Sequence, residues 1–170
     1  MHKHLFLTGE KRIGKTTAIN AFLAKSGLRT EGFRTVQVNG FFPGEISVHM
    51  TRAGENENPS RENLLFCCSS YQGLDITERF DRIGCEALNC SPSADLILMD
   101  ELGPHEFEAE KFQKRVFELL RGGKPVLGVL QNVNSAFPDQ IRDSRVAYFM
   151  EVTQKNREYV PSRIRDWYYM

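Results

Sequence analysis

At 170 residues the chain is long enough for one domain with a core that buries roughly two-thirds of its unfolded surface. Hydrophobic residues make up 41% and charged residues 26%, a globular balance that excludes wholesale disorder. Twenty-two Lys and Arg offset twenty-two Asp and Glu, so net charge favours neither non-specific nucleic-acid binding nor a membrane surface, and no apolar run approaches the about 18 residues of a membrane span.

Met1-His2-Lys3-His4 leads straight into a strand-like run, with nothing that resembles a secretory leader. His2 and His4 read as a frayed strand start rather than a metal pair. Leu5-Phe6-Leu7, ending at Thr8-Gly9, reads as a buried strand. The spacing then predicts a helix from about Lys15 to Ala24, with Ile19, Phe22 and Leu23 on one face and Gly27 as its stop. Gly32 to Val38 and Glu45 to Met50 alternate around turn residues at Asn39-Gly40 and Pro43-Gly44, which predicts an antiparallel hairpin. A polar surface loop follows over 51–63. Leu64 to Cys68 reads as a strand and Thr77 to Leu88 as a helix. Cys67, Cys68, Cys85 and Cys90 fit neither a disulfide framework nor a zinc spacing and read as reduced thiols of a cytoplasmic protein.

From Asp95 onward apolar runs alternate with helices. Asp95 to Met99 is a strand, Phe107 to Leu120 an amphipathic helix stopped at Gly122-Gly123, Pro125 to Leu130 a strand, Pro138 to Asp143 a short helix and Val146 to Met150 a last strand. Continuous apolar strands between helices imply a parallel sheet covered on both faces. The tail from Pro161 to Met170 is basic, then aromatic, and reads as packed on the body. The whole of 1–170 is expected to form a single domain.

Gly9-Glu10-Lys11-Arg12-Ile13-Gly14-Lys15-Thr16 matches GxxxxGK[ST] at every fixed position, between a predicted strand and a predicted helix. Such a loop turns its backbone N–H groups inward around phosphates, and the helix beginning there points its positive end at them. In this context Lys15 reaches the β- and γ-phosphates and the Thr16 hydroxyl faces Mg²⁺. Leu96-Ile97-Leu98-Met99 ends in Asp100-Glu101 where a parallel strand would end, the edge at which open α/β sheets bind ligands. That placement predicts Asp100 as a metal ligand and Glu101 as the group that polarises an attacking water. A strand is expected to end before Glu101, freeing it to face the phosphates. Gln131 and Asn132 follow the next strand at the same edge, as an ordinary loop or as partners of the γ-phosphate or the water. Glu151 to Arg157 is either a solvated charged loop or the carrier of Arg157 toward the γ-phosphate. An acid pair suited to water, and the lack of an arginine-rich lid, favour hydrolysis of a triphosphate. A nucleoside or nucleotide kinase and a nucleotide-dependent regulatory switch are the alternatives.

These residues together resemble the P-loop nucleoside-triphosphatase family that includes the thermophilic nucleoside-triphosphatase and the human cancer-related NTPase. The likeness rests on the loop ending Gly14-Lys15-Thr16-Thr17, on Arg29 to Thr35 leading into a hairpin, on Met99 to Phe107 beside the family run Asp-Glu-Ile-Gly-x-Met-Glu, and on Val152 to Glu158 beside its Asn-Arg-Asp element. It spans about residues 5–158. The resemblance implies a three-layer α/β/α sandwich with a mostly parallel sheet, and slow, base-tolerant, Mg²⁺-dependent hydrolysis of a nucleoside triphosphate such as ATP or GTP. It implies a nucleotide cradle from Gly9 to Thr17, metal ligation by Thr16 and Asp100, and catalytic roles for Lys15, Glu101 and Arg157. The chain departs from the family at Lys11 and Arg12, where small residues, often Pro-Gly, are usual. A non-Gly residue held at positive φ there costs about 1 kcal/mol.

Overall fold

The computed structural model describes residues 3–69 and 73–170. Among these residues seven strands form one sheet in the order β4-β3-β2-β5-β6-β1-β7. They are β1 (His4–Thr8), β2 (Thr30–Asn39), β3 (Ile46–Arg52), β4 (Leu64–Cys67), β5 (Leu96–Leu102), β6 (Val126–Leu130) and β7 (Ala147–Glu151). β2, β5, β6, β1 and β7 run parallel, and β3 and β4 are antiparallel additions at the β2 side.

Alternation along the parallel strands feeds two cores. Phe6, Ile97, Met99, Val126 and Leu130 point to one face, and Leu5, Leu7, Leu96, Leu98, Leu127 and Val129 to the other. The second face is covered by α1 (Lys15–Ser26) and α6 (Val160–Tyr169), through Ile19, Phe22, Val160 and Ile164. The first is covered by α4 (Glu110–Arg121), α5 (Ala136–Asp143) and a helical stretch from Ile76 to Ala87. That stretch comprises α2 (Ile76–Arg79), a π-helical turn (Phe80–Gly84) and α3 (Cys85–Ala87). The wide turn sits where α4 presses in: a Cβ on Gly84 would lie 2.3 Å from the Phe112 ring, and the Asp81 carboxylate accepts the Phe112 N–H at 2.9 Å. The three-layer architecture and the hairpin addition are as the sequence implies.

Three local expectations are corrected. β5 does not stop at Met99; it runs through both acids to Leu102. α4 begins at Glu110 rather than Phe107, because Pro104–Glu106 forms a 3₁₀ turn tied by the Glu106 carboxylate. His4 is not frayed but 2% exposed. Its Nδ1 accepts the Val126 N–H at 3.2 Å, so Nε2 carries the proton donated to the Leu120 carbonyl at 2.8 Å. Burial holds its pKa below the ordinary value, keeping the ring neutral. His2 lies outside the described residues. The tail is α6, packed on α1 with Tyr168 against Phe22 at 6.2 Å between centroids.

Candidate active site

The loop between β1 and α1 turns on three residues at positive φ, Gly9 (122°), Arg12 (60°) and Gly14 (111°). At Gly9 no side chain fits: a Cβ would lie 2.4 Å from the Val152 carbonyl oxygen. Arg12 occupies the left-handed region without glycine's freedom, so the strain expected from the sequence is present. Ile13 anchors the loop in the core, while Glu10, Lys11, Arg12, Thr16 and Thr17 are exposed. Gly14 opens α1 by accepting the Ala18 N–H at 2.9 Å. The Lys15 ammonium folds back over the cradle, donating to the Gly9 and Glu10 carbonyls at 2.9 and 2.7 Å. Burial lowers its pKa; Glu101 and Asp100 oppose that shift, and Lys11 adds to it.

β6 lies between β1 and β5, so the phosphate loop and the acidic pair stand one strand apart. The pairing of β5 with β6 shifts register between Met99 and Leu102, while β2 stays in register through Arg34–Asp100. The two acids thereby leave the β6 ladder and face separate partners. Asp100 is 3% exposed; its Oδ1 accepts the Thr16 hydroxyl at 3.2 Å, and its Oδ2 lies 3.6 Å from Arg34 Nη1. Burial pushes the Asp100 carboxyl up, against Arg34, the Thr16 hydrogen bond and Lys15. Glu101 is half-buried. Burial raises its pKa too; Lys15 is the main opposing influence, Asp100 adds to the rise, and Lys11 and a hydrogen bond to the Gln131 side chain restrain it.

Behind the pair, the Gln131 side chain packs on Gly103, where a Cβ would come within 2.8 Å of Gln131 Cδ. The Gly103 N–H donates to both oxygens of Glu106 at 3.1 Å each. Glu106 is 3% exposed, and burial pushes its carboxyl up to about 7. The described clefts lie elsewhere, such as a 290 Å³ one lined by Arg29, Glu31, Arg52 and Glu55 at the start of β2.

The structure therefore brings Lys15, Thr16, Asp100 and Glu101 into one cluster. Arg157 is exposed on the β7 flank of the loop, in a turn where Asn156 Oδ1 accepts the Thr153 N–H and Asn156 Nδ2 donates to the Glu151 carbonyl, each at 2.8 Å. Sequence reasoning assigned no role to Arg34. Its signal is the β2–β5 register, which no local pattern in the chain displays.

Known proteins match this arrangement along almost the entire chain. The model of a family described as NTPase matches residues 4–165. A nucleoside-triphosphatase THEP1 of Methanosarcina acetivorans is 28% identical over 94% of this chain and 93% of its own length. A nucleoside-triphosphatase THEP1 of Methanocaldococcus jannaschii is 31% identical over 80% of this chain and 83% of its own length. The solution structure of a human cancer-related nucleoside triphosphatase superposes with a TM-score of 0.67 at 26% identity, covering 96% of this chain and 95% of that one. The crystal structure of THEP1 from Aquifex aeolicus gives a TM-score of 0.71 at 18% identity over 95% and 96%, a likeness of fold. A family match running from β1 into α6, across a phosphate loop and an acidic pair that meet in space, shows that the chain belongs to the NTPase family.

Proposed function

We propose that the protein hydrolyses nucleoside triphosphates to the diphosphate and phosphate. The observation that carries this reading is the 3.2 Å hydrogen bond from Thr16 to Asp100, which joins the phosphate loop to the acidic pair across 84 residues. The curated relatives named as nucleoside-triphosphatases support it. The donor set, a hydroxyl and a carboxylate nearly closed to water, consists of hard oxygen ligands of the kind Mg²⁺ takes. Thr16 and Asp100 would hold the ion; when bound it offsets charge on the β- and γ-phosphate oxygens.

The remaining roles belong to side chains. Lys15 exchanges two carbonyl partners for phosphate oxygens, and the loop from Gly9 to Thr17 cradles them with N–H groups. Glu101, oriented by Gln131, accepts the proton of a water whose oxygen bonds to the γ-phosphorus. The bond from that phosphorus to the bridging oxygen breaks, and the bridging oxygen leaves on the nucleoside diphosphate. Burial raises the Glu101 pKa, which strengthens its carboxylate as a base. Arg157 is assigned to the bound nucleotide's phosphates from the β7 flank. With the triphosphate held largely by backbone and cation contacts, ATP, GTP and other bases are accepted alike. Among the described residues no helix is long and apolar enough to cross a membrane, and we place the protein in the cytoplasm with its cysteines reduced.

The test is phosphate release from a panel of ribo- and deoxyribonucleoside triphosphates, with Mg²⁺ or with chelator, with and without nucleoside acceptors. Release from several bases that needs metal and no acceptor is expected. Turnover only when a nucleoside is added would replace hydrolysis with kinase activity.

A further inference from the structure

Arg34 faces the carboxylate that the hydrolysis reading gives to the metal. Asp100 meets a polar partner at each oxygen: the Thr16 hydroxyl at 3.2 Å on Oδ1 and the Arg34 guanidinium at 3.6 Å on Oδ2. The Asp100 side chain is 4% exposed and that of Arg34 24%. The guanidinium thus lies across a single carboxylate from the phosphate loop. It comes from β2, in register with Asp100, at the last rung β2 shares with β5; beyond it β2 continues to Asn39 paired with β3 alone. Arg34 therefore stands at the open carboxyl edge of the sheet. At 3.6 Å the contact is an ion pair without a short hydrogen bond, and among the described residues no hydrogen bond fixes the guanidinium.

We propose that Arg34 serves two partners in turn. In the nucleotide-free protein it neutralises Asp100; with Asp100 engaged by the metal, its guanidinium turns to the γ-phosphate oxygens as a catalytic cation supplied from within the chain. The proposal rests on the hydrolysis reading. Its physical basis is competition: a divalent cation ligated by a buried carboxylate weakens that carboxylate's hold on a guanidinium at its other oxygen, since two positive charges then share one negative charge and repel at short range. The released guanidinium needs another anion, and the phosphates that Lys15 and the loop would hold lie on the far side of the same carboxylate. A planar fork suits phosphate oxygens and their growing charge as the bond to the bridging oxygen loosens. A purely structural counter-ion for Asp100 would instead be buried and locked by short paired hydrogen bonds.

The experiment compares the native protein with Arg34→Gln and Arg34→Lys in two assays. Titration of nucleotide-free protein with Mn²⁺ alone, followed by electron paramagnetic resonance, reads the competition. Steady-state hydrolysis with Mg²⁺ reads the catalytic half. Arg34→Gln is expected to bind the metal about tenfold more tightly, the scale on which one neighbouring charge shifts a carboxylate. Its kcat is expected to fall about 10²-fold or more, with KM within about threefold. Arg34→Lys keeps the charge but not the fork, so metal affinity stays native-like while kcat recovers only in part; it also serves if the glutamine variant does not fold. Metal affinity unchanged in Arg34→Gln overturns the competition. Native hydrolysis that Arg34→Gln leaves intact overturns the catalytic role alone. A native protein that releases no phosphate from any nucleoside triphosphate overturns the hydrolysis reading and this proposal with it.

Discussion

Lys15 and Glu101 sit at opposite ends of the same chemistry, and their variants should separate binding from turnover. Lys15 is 7% exposed and aims its ammonium at loop carbonyls that phosphate oxygens would replace. Lys15→Ala is expected to abolish productive triphosphate binding, read with a fluorescent nucleotide and by phosphate release; near-native turnover would remove the phosphate-loop reading. Glu101 contributes to the proton transfer rather than to the ground-state complex. Glu101→Gln is therefore expected to keep nucleotide affinity while hydrolysis falls about 10²-fold or more. If hydrolysis persists at the native rate, water activation lies with another group, and Gln131, the hydrogen-bond partner of Glu101, is the next residue to vary. Arg157 stands on the other flank, exposed. Arg157→Ala is expected to lower kcat more than it raises KM, because a charge that meets developing negative charge acts most strongly in the transition state. An unchanged kcat would leave the Asn156-Arg157 turn as a surface element held by its own side chain.

At the scale of elements, the turn from Gly103 to Glu106 connects the acidic pair to α4. Burial of a carboxyl closed to water, with Glu101 as a nearby charge, favours the protonated form against backbone hydrogen bonds from Glu106 itself and from Gly103. The Glu106 carboxyl stands at about 7 in the folded chain against 4.5 for an ordinary one. Between those values the folded chain binds more protons than the unfolded chain, so stability is full below 4.5 and is lost as pH rises through 7. The loss amounts to roughly 3 kcal/mol. The melting temperature of the nucleotide-free protein should decline from pH 5 to 8, and Glu106→Gln, which cannot ionise, should decline less. Parallel curves for the two proteins would show that the turn tolerates the charge. The β5 shift belongs to the same element: pairing with β6 skips both acids while β2 pairs only as far as Asp100, so Asp100 faces Thr16 and Arg34 as Glu101 faces Lys15 and Gln131.

At the scale of the whole molecule, the second core depends on the C-terminal helix. Val160 and Ile164 are fully buried against the sheet and α1, the helix whose first turn carries Lys15 and Thr16. Ile164→Ala removes apolar volume that the surrounding residues cannot refill, a loss of about 3 kcal/mol. Its melting temperature is expected to fall by about 10 °C. The phosphate loop lies at the far end of α1 from Tyr168 and Tyr169, so the KM of the folded variant should stay near native. A melting temperature unchanged within a degree or two would show that α6 is not part of the core.

The sequence by itself determined whatever is carried by local pattern or by neighbours along the chain. Continuous apolar runs in Leu96 to Met99 and Val126 to Leu130 marked strands buried on both faces, and the glycines, Lys15 and Thr16 of the loop specify a phosphate cradle whatever surrounds them. Asp100 and Glu101 were legible because covalent adjacency puts both at one sheet edge. What only the tertiary structure decided are relations between segments. His4 reads as a frayed end until Leu120 and Val126 close on its ring. Nothing local in the chain shows Glu106 to be buried; the turn after β5 folds it inward. Arg34 differs in no local way from Arg29 or Arg52; the β2–β5 register alone sets it on Asp100. Register between strands distant in sequence is set by how side chains interlock across the sheet, and a one-residue slip would turn Arg34 to the opposite face.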